Sequence, residues 1–372
     1  MTQIVILSTA DYGAEVWTNK QHLAVGLAEV FDVTYIESMG LRTPKLSASD
    51  LRRVLRRLKP SSNAAVRPRP ERLSVVGPHV LPWHASSLAA GINRRLVRRQ
   101  FRRSSPERRV LWTFSPLTYG LEGECDAMIY HSVDLLHAIP GVPADTILDA
   151  ERRALASADV VIASSHGVRE HLQALGRKDV LLWENVADVE LYARHESPKE
   201  PRAVFAGNLT PTKIDLSLLS DVALAGIPIS IAGPRDIDGT VYPEIDQLLE
   251  YPNVTYEGNL SPVELAGLLN RCTVGLIPYQ CNSYTEGVFP MKVYEYLASG
   301  CSVVSVPLRS LRELRVPGLF LEADSAEFVS AVVANLSPGP EAVDAYRLAS
   351  APHSWTARVS AARNLIDGIA DE

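Results

Sequence analysis

The chain has 372 residues, a formal net charge of −6, 46% hydrophobic and 22% charged residues, which is a normal balance for a globular protein. This length exceeds what one typical hydrophobic core supports and therefore predicts two domains. No apolar run approaches the roughly 20 residues of a membrane-spanning helix, and no basic segment precedes the first apolar stretch as in a signal peptide.

The N-terminal part of the chain begins with an α/β pattern. Residues 4–7 form an apolar run that predicts a strand, residues 17–30 show helical spacing of apolar side chains, and residues 33–36 predict a second strand. The order strand, helix, strand favours a parallel sheet. After an interruption the same pattern resumes, with strands predicted at 110–113, 127–130, 160–163 and 180–183 and a helix at 145–156.

The interruption carries an unusual charge. Residues 42–109 contain 18 Lys and Arg but three Asp and Glu, a balance of +15 in a chain whose total is −6. Residues 50–58 and 88–103 each place apolar side chains on one helical face and arginines on the other. Such helices can lie on an anionic membrane, bind nucleic acid or simply be solvated. Because the sequence has no helix-turn-helix, RNA-recognition or zinc motif, nucleic acid is disfavoured and the other two interpretations stay open.

Polar side chains follow the strand predicted at residues 127–130. His131, Asp134 and His137 place three titratable groups directly after a buried strand. A carboxylate in that position can serve as a general base, and Asp134 is the best candidate for that role. In the alternative interpretation, Asp134 caps the following turn and the histidines lie on the surface.

The second domain opens with a predicted strand at residues 203–206. Gly207 and Asn208 follow it, and the glycine permits a ligand to approach the backbone closely. Lys213, a few residues later, can reach a diphosphate, although a tight turn with a surface lysine fits the same pattern. Gly233 and Tyr256 lie at the ends of two further strands, where they either border a ligand or belong to ordinary loops.

The most informative segment is residues 290–300, which lies between predicted strands at 274–278 and 302–306. Pro290 opens a short helix and Gly300 closes it, as helix ends prefer. A helix N-terminus at the carboxyl edge of a parallel sheet favours a phosphate, and Lys292 adds a positive charge. Glu295, one turn further, can accept hydrogen bonds from ribose hydroxyls. The segment suits a nucleotide diphosphate, although an ordinary capped helix remains an alternative.

Residues 290–300 resemble the nucleotide-sugar site of GT-B glycosyltransferases, whose donor half ends in a helix of the form P-x-K-x-x-E-Y-x-A-x-G. The resemblance covers nearly the whole chain and is strongest at residues 203–213 and 274–306. It implies an α/β GT-B fold, with two Rossmann-like domains facing a central cleft. The expected divisions are an acceptor domain at 1–188, a donor domain at 201–350 and a C-terminal helix at 351–372 that packs back on the first domain.

The same resemblance implies roles for individual residues. The donor is expected to contact Gly207, Asn208, Lys213, Gly233, Tyr256, Met291, Lys292 and Glu295. The segment from Tyr130 to Asp134 resembles Y-x-x-x-D in exopolysaccharide and teichuronic-acid glycosyltransferases, including the xanthan glucuronosyltransferase, and implies catalytic roles for Asp134 and His131. Glu286 is expected to touch the donor sugar. Retaining GT-B enzymes usually carry Glu-x7-Glu, and because eight residues separate Glu286 from Glu295 here, the spacing favours inversion.

The sequence thus predicts a metal-independent glycosyltransferase without a cofactor. Its donor is a nucleotide diphosphate sugar, most simply a UDP- or GDP-sugar, and its acceptor a hydroxyl of a glycan or lipid-linked glycan in cell-surface polysaccharide biosynthesis. The four cysteines show no metal-ligand spacing and indicate free thiols in a reducing cytoplasm. We expect a cytoplasmic protein, peripheral on the inner membrane face through residues 50–58 and 88–103. The alternatives are a GT-B-fold nucleotide-sugar epimerase and a non-enzymatic nucleotide or nucleic-acid binder.

Overall fold

The computed structural model describes residues 2–370 apart from 15–16, 41–68, 78–79, 82, 84–85, 102–106, 140, 195–196, 211–212 and 236–241. The basic helix predicted at residues 50–58 therefore lies outside the described residues. The chain divides into two compact units, one formed by Met1–Glu184 with Arg358–Glu372 and the other by Asn185–Ala357.

The first unit is built on a seven-stranded parallel sheet with the order β3-β2-β1-β4-β5-β6-β7. Its strands are β1 (Thr2–Leu7), β2 (Asp32–Ile36), β3 (Leu73–Val76), β4 (Arg108–Thr113), β5 (Ala127–Ser132), β6 (Val160–Ala163) and β7 (Val180–Leu182). The described helices are α1 (Asn19–Leu27), α2 (Ser87–Phe101), α3 (Ala144–Ser157) and α4 (His166–Ala174), with short 3-10 turns at Leu121–Glu124 and Leu136–Ala138.

The second unit contains a six-stranded parallel sheet with the order β10-β9-β8-β11-β12-β13. Its strands are β8 (Ala203–Ala206), β9 (Ile229–Ala232), β10 (Val254–Gly258), β11 (Val274–Ile277), β12 (Ser302–Ser305) and β13 (Leu319–Leu321). The described helices are α5 (Val189–Ala193), α6 (Leu216–Leu224), α7 (Pro243–Leu249), α8 (Pro262–Arg271), α9 (Lys292–Ala298), α10 (Ser325–Ala334) and α11 (Pro340–Ser350), with a 3-10 turn at Thr285–Gly287.

The last helix, α12 (Trp355–Ala370), contains the boundary between the units, because Arg358–Glu372 is grouped with the first one. Ala362 and Ile366 are buried in the core on one face of the first sheet. Helix α12 also packs closely against α1, because a side chain added at Gly26 of α1 would collide with Val359 of α12. The C-terminal helix is therefore an integral part of the first unit's core.

Both sheets have doubly wound topology. The chain builds outward from β1 or β8 in one direction and then crosses to β4 or β11 to build in the other direction. In such sheets, ligands bind beyond the carboxyl ends of the two central strands, where the direction of winding reverses. The topology alone therefore predicts one ligand site at the ends of β1 and β4 and another at the ends of β8 and β11.

Local sequence explains several element ends. Ser261 and Glu264 form a capping box at the start of α8, with Pro262 in its first turn, and Gly300 ends α9 with a φ of 74°. Two predicted boundaries are wrong. The helix predicted at 17–30 is shorter, since Thr18 provides its capping box, and α9 begins at Lys292 rather than at Pro290.

Within the part of the chain that the structure describes, no helix is both long and apolar enough to cross a bilayer.

Candidate functional site

The switch point of the second sheet lies between β8 and β11, and the chain continues past these strands with Gly207 and Tyr279 respectively. Gly207 has a φ of 149°, and a Cβ placed there would lie 2.9 Å from Nζ of Lys292. Glycine is thus required both by the backbone conformation and by the close approach of the lysine. Because Gly207 has no side chain, Lys292 can lie against the end of β8.

Lys213 is brought to the same place by backbone pairing. Ile214 and Tyr279 form an antiparallel bridge, and the amide of Gln280 donates to the carbonyl oxygen of Lys213 at 2.8 Å. The Lys213 ammonium lies 4.6 Å from the centroid of the Tyr279 ring. The loop after β8 and the loop after β11 therefore hold two lysines around one tyrosine.

Tyr279 is 3% exposed and lies beside both lysines. Burial alone would raise the pKa of the Tyr279 phenol, but Lys292 and Lys213 outweigh burial and hold that pKa below its ordinary value. Burial likewise disfavours the charged form of Lys292, yet Tyr279 and Glu295 raise the pKa of its ammonium above the usual value. Lys292 therefore stays charged at neutral pH, and the strand ends carry concentrated positive charge.

Glu295 follows Lys292 by three residues, on the same face of α9. Burial raises the pKa of the Glu295 carboxyl, and the neighbouring Lys292 opposes that rise. Tyr296 attaches α9 to the sheet, because its hydroxyl accepts a hydrogen bond from the amide of Ala206 in β8 at 3.1 Å. A Cβ at Gly275 of β11 would lie 2.1 Å from the Tyr296 ring, so the glycine makes room for this tyrosine.

Gly233 and Tyr256 join the loops after β9 and β10 to the same edge. The amide of Gly233 donates to the carbonyl oxygen of Gly258 at 2.8 Å, and the Tyr256 hydroxyl donates to the carbonyl oxygen of Gly233 at 2.8 Å. A Cβ at Gly233 would lie 2.2 Å from the carbonyl oxygen of Gly207. The glycine-bearing turns after β8 and β9 are thus in direct backbone contact.

The other predicted donor residues lie at the periphery of this arrangement. Asn208 is exposed, and Met291 is the residue before the first turn of α9. Glu286 is exposed on the 3-10 turn Thr285–Gly287, and its amide donates to the carbonyl oxygen of Asn282 at 3.0 Å. Tyr279 was not among the predicted site residues, although it directly follows Pro278 at the end of a predicted strand.

In the first unit, Asp134 follows β5 and is partly buried. It lies within electrostatic reach of Lys20, which is 7% exposed and whose ammonium is 5.6 Å from the centroid of the Phe114 ring. Burial lowers the pKa of the Lys20 ammonium, and Asp134 opposes that shift. The sequence gives no sign that Lys20 is buried, because a lysine near the start of a helix is usually solvated.

His131 is fully buried among aromatic rings, with centroid distances of 4.9 Å to Phe114, 6.1 Å to Trp112 and 6.2 Å to Trp183. Among the described residues, neither of its ring nitrogens has a hydrogen-bond partner. Burial holds the pKa of His131 well below its ordinary value, with Arg358 and Lys20 adding to the effect. The imidazole is therefore neutral at physiological pH.

The three polar groups predicted to cluster after β5 have different surroundings. Asp134 interacts with Lys20, whereas the ring of His137 stacks on that of His171 with a centroid distance of 4.4 Å. His131 is enclosed by the aromatic rings. His131 lies within β5, Asp134 lies at the bend that follows, and His137 lies in the turn Leu136–Ala138. Their different surroundings are therefore not revealed by their spacing along the sequence.

The part of the second unit that contains both lysines and Tyr279 is similar to a known family. A family model described as Glycosyl transferases group 1 matches residues 200–337. The likeness to group 1 glycosyl transferases thus covers residues 200–337 of the second unit. The resemblance inferred from residues 203–213 and 274–306 is thereby confirmed.

One curated protein similar to this chain is the putative teichuronic acid biosynthesis glycosyltransferase TuaH of Bacillus subtilis (strain 168). The two sequences are 27% identical over 188 residues, which cover 47% of this chain and 47% of TuaH. The match thus spans about half the length of that relative.

Two solved structures show the fold over nearly the entire chain. Sucrose-phosphate synthase from Thermosynechococcus elongatus superposes with a TM-score of 0.70 at 15% identity and covers 99% of each chain. Anabaena Alr3699/HepE, in complex with UDP and glucose, gives a TM-score of 0.64 at 14% identity and covers 99% of this chain and 100% of its own. These likenesses confirm the predicted α/β GT-B fold.

Proposed function

We propose that this chain is a glycosyltransferase that moves a sugar from a nucleoside diphosphate sugar to a hydroxyl of a glycan or lipid-linked glycan. The proposal rests first on the pairing of Lys213 and Lys292 around Tyr279 at the switch point of the second sheet. Two ammonium groups at the carboxyl ends of central parallel strands match the charge and the usual place of a bound diphosphate.

The surrounding residues fit the rest of a nucleotide. Glu295 offers a carboxylate to ribose hydroxyls, and Gly207 and Gly233 let the backbone approach a ligand closely. Tyr256, bonded to the Gly233 carbonyl, would border the base. Because HepE has been crystallised with UDP and glucose, we favour a UDP-sugar, with a GDP-sugar as the other donor to test.

The two lysines also provide a reason for metal independence. As the bond between the anomeric carbon and the diphosphate oxygen breaks, negative charge accumulates on the leaving diphosphate. Lys292, which keeps its positive charge, and Lys213 would stabilise that charge from fixed positions. We therefore propose that donor activation requires neither a divalent ion nor a cofactor.

On the acceptor side, we propose Asp134 as the general base of an inverting transfer. Its carboxylate would take the proton of the acceptor hydroxyl while that oxygen attacks the anomeric carbon and the nucleoside diphosphate leaves. His131 is enclosed by aromatic rings and neutral, so a role in shaping the pocket suits it better than proton transfer. Likeness to TuaH supports an acceptor from cell-surface polysaccharide biosynthesis.

We further propose that the protein works as a peripheral protein at the inner face of the cell membrane. Helix α2 exposes Leu88 and Ile92 at 76% and 38%, together with Arg94 and Arg95, and Trp83 just before it is 51% exposed. Apolar and aromatic groups beside arginines are the combination that binds anionic lipid surfaces. Such binding would bring a lipid-linked acceptor to the enzyme. We do not propose nucleic acid as a partner.

The donor site can be tested by thermal melting with UDP, GDP, dTDP, ADP and NAD. A nucleotide at about 100 times its Kd should add about 2.7 kcal/mol to the free energy of unfolding. Lys292→Ala should weaken binding of the preferred diphosphate by about 10–100-fold, since a charged hydrogen bond contributes about 1.5–3 kcal/mol. Lys178→Ala, at an exposed lysine of the first unit, is the matched control and should leave the affinity unchanged.

Failure of every nucleotide to stabilise the protein would contradict the donor site. If a nucleotide binds, turnover with its sugar decides between the functions. Release of the diphosphate that depends on an added acceptor and persists with EDTA supports the proposed transfer. Conversion of the donor sugar without any acceptor would instead indicate an epimerase, and binding without turnover a non-enzymatic binder.

The catalytic assignment has its own test in Asp134→Asn. Loss of the base should lower the rate of transfer about 10²–10⁴-fold with little change in diphosphate affinity, because Asp134 lies in the other unit from the lysines. The measurement is the initial rate with saturating donor and acceptor. A variant that turns over at nearly the wild-type rate would remove Asp134 from this role.

A further inference from the structure

Three potential metal ligands lie together in the first unit, apart from the residues assigned to the donor. His137 of the turn Leu136–Ala138, Glu151 of α3 and His171 of α4 each present one ligand atom, and these atoms lie within 4.8 Å of one another. The ligands come from three separate elements, so their proximity is a product of the fold rather than of a local sequence motif.

Glu151 is the most buried member of this cluster. Its side chain is 2% exposed, one carboxylate oxygen accepts a hydrogen bond from the Tyr130 hydroxyl at 2.7 Å, and the other lies 2.7 Å from Nε2 of His171. Burial of a carboxylate is costly unless hydrogen bonds or a cation compensate it. The Tyr130 hydroxyl fixes the orientation of the carboxylate, as outer hydrogen bonds do around metal ligands.

His137 supplies the second observation. Its Nδ1 is buried and has no hydrogen-bond partner among the residues that the structure describes, while its ring stacks on His171. A neutral imidazole nitrogen is a metal ligand, and this buried nitrogen is available for that role.

We propose that His137, Glu151 and His171 bind a divalent transition-metal ion, for which zinc is the best match. Two imidazoles and one carboxylate form a familiar zinc ligand set that leaves a fourth position for water. The ligand atoms would close to about 2.0–2.2 Å from the ion through side-chain rotation. The ion would replace the proton between His171 and Glu151 and join the segment after β5 to α3 and α4.

The proposed ion has a structural role and is separate from donor activation. It would fix the turn that follows Asp134, whereas the lysines that face the diphosphate belong to the other unit. Chelation should therefore lower the melting temperature of the protein without abolishing nucleotide binding. Nucleotide binding thus reports on the proposed function, and metal affinity reports on this site.

The test uses tag-free, full-length protein stripped of metal with EDTA. Zinc is titrated by calorimetry against a competing chelator, and Co²⁺ binding is followed by visible absorption. We expect one equivalent of metal per chain, the d–d bands of tetrahedral Co²⁺, and a melting temperature several degrees higher with zinc. Tyr130→Phe keeps all three ligands and should weaken zinc affinity about 10–100-fold, whereas the His137→Ala/His171→Ala double variant should lose more.

His353→Gln, at a histidine of the second unit, is the matched control and should keep the wild-type zinc affinity. Absence of a saturable equivalent in the wild-type protein would overturn the proposal, as would wild-type affinity in a folded His137→Ala/His171→Ala variant. Should that variant not fold, the Co²⁺ spectrum of the wild type and the affinity of Tyr130→Phe decide. Missing tetrahedral bands, or an unchanged affinity, overturn the proposal equally.

Discussion

The candidate donor site depends on two glycines without side chains as much as on its charged residues. Gly207 and Gly233 have φ values of 149° and 127°, and each lies against a group that a side chain would displace. At Gly207 that group is the flexible end of Lys292, whereas at Gly233 it is backbone. The two glycines should therefore respond differently to substitution, since a lysine can move and a peptide group can do so only with its loop.

Gly233→Ala should be strongly destabilising. The new Cβ would lie 2.2 Å from the carbonyl oxygen of Gly207, and the backbone conformation is strained for any residue with a side chain. We expect a loss of about 1–3 kcal/mol in the free energy of unfolding together with weaker diphosphate binding, measured by denaturant unfolding and thermal melting. Gly267→Ala is the control.

Gly267 lies in α8 with no heavy atom within 4 Å of a built Cβ. Alanine should stabilise the protein there by about 0.4–1 kcal/mol, because it restricts the unfolded chain and favours helix. Equal effects of the two substitutions, or a Gly233→Ala protein as stable as the wild type, would refute the steric argument.

Asp134 and His131 show how burial separates neighbouring candidates for one role. His131 is fully buried and its pKa lies well below the ordinary value, whereas Asp134 is partly buried beside Lys20. A general base must reach the acceptor hydroxyl and exchange its proton with solvent. Of the two, Asp134 is therefore the base that we propose.

At the scale of elements, the sequence predicted most strands of both sheets because buried parallel strands are continuous apolar runs. β11 and β12 are buried along their full length and were easily identified. β3 (Leu73–Val76) and β13 (Leu319–Leu321) were missed, since both lie at sheet edges and are only partly buried. Boundaries depended on capping, which explains why the start of α9 was placed two residues early.

The same limits apply to the candidate site. Lys213 and Lys292 were identified because each follows a strand in a segment with a recognisable pattern. Tyr279 and the cluster of His137, Glu151 and His171 were not, because they are brought together by contacts between distant elements. Sequence patterns report which residues follow which strand, whereas side-chain proximity across elements depends on packing.

The packing of α12 in the first unit leads to a test at the level of one helix. Ile366 is 1% exposed in the core that it shares with α1 and the sheet. Ile366→Ala should lower the free energy of unfolding by about 2–5 kcal/mol, through lost burial and the cavity that remains. Leu348→Ala in α11, where the side chain is 76% exposed, should change it by less than about 0.5 kcal/mol.

Denaturant unfolding followed by tryptophan fluorescence measures both variants, since Trp112 and Trp183 belong to or pack against the same core as Ile366. A small effect of Ile366→Ala would mean that α12 detaches from the first unit without cost. The C-terminal helix would then be an appendage rather than part of the core.

For the whole molecule, the distribution of charge is more informative than its total. Residues 42–109 carry +15 and the rest of the chain −21, so a protein with a net charge of −6 still presents one strongly basic segment. Opposite charges on different parts of one chain orient it in the field of a charged surface. An anionic membrane should therefore attract the protein through this segment despite its overall negative charge.

Membrane attraction should depend on the arginines of α2. We expect the wild-type protein to cosediment with phosphatidylcholine vesicles that contain phosphatidylglycerol, but not with phosphatidylcholine alone. Each basic residue near such a surface contributes about 1 kcal/mol, so Arg94→Gln/Arg95→Gln should weaken binding by about 30-fold. Arg152→Gln/Arg153→Gln removes two exposed arginines from α3 and serves as the control of equal charge.

Salt supplies an independent check on the same prediction. The screening length falls from about 10 Å at 0.1 M to about 3 Å at 1 M, so vesicle binding should decline steeply over that range. A part of the vesicle binding should resist salt, because Leu88 and Ile92 are exposed and the burial of apolar surface is not screened. If both double variants lose binding equally, attraction is a property of total charge and α2 has no special role. If neither loses binding, the basic segment is simply solvated.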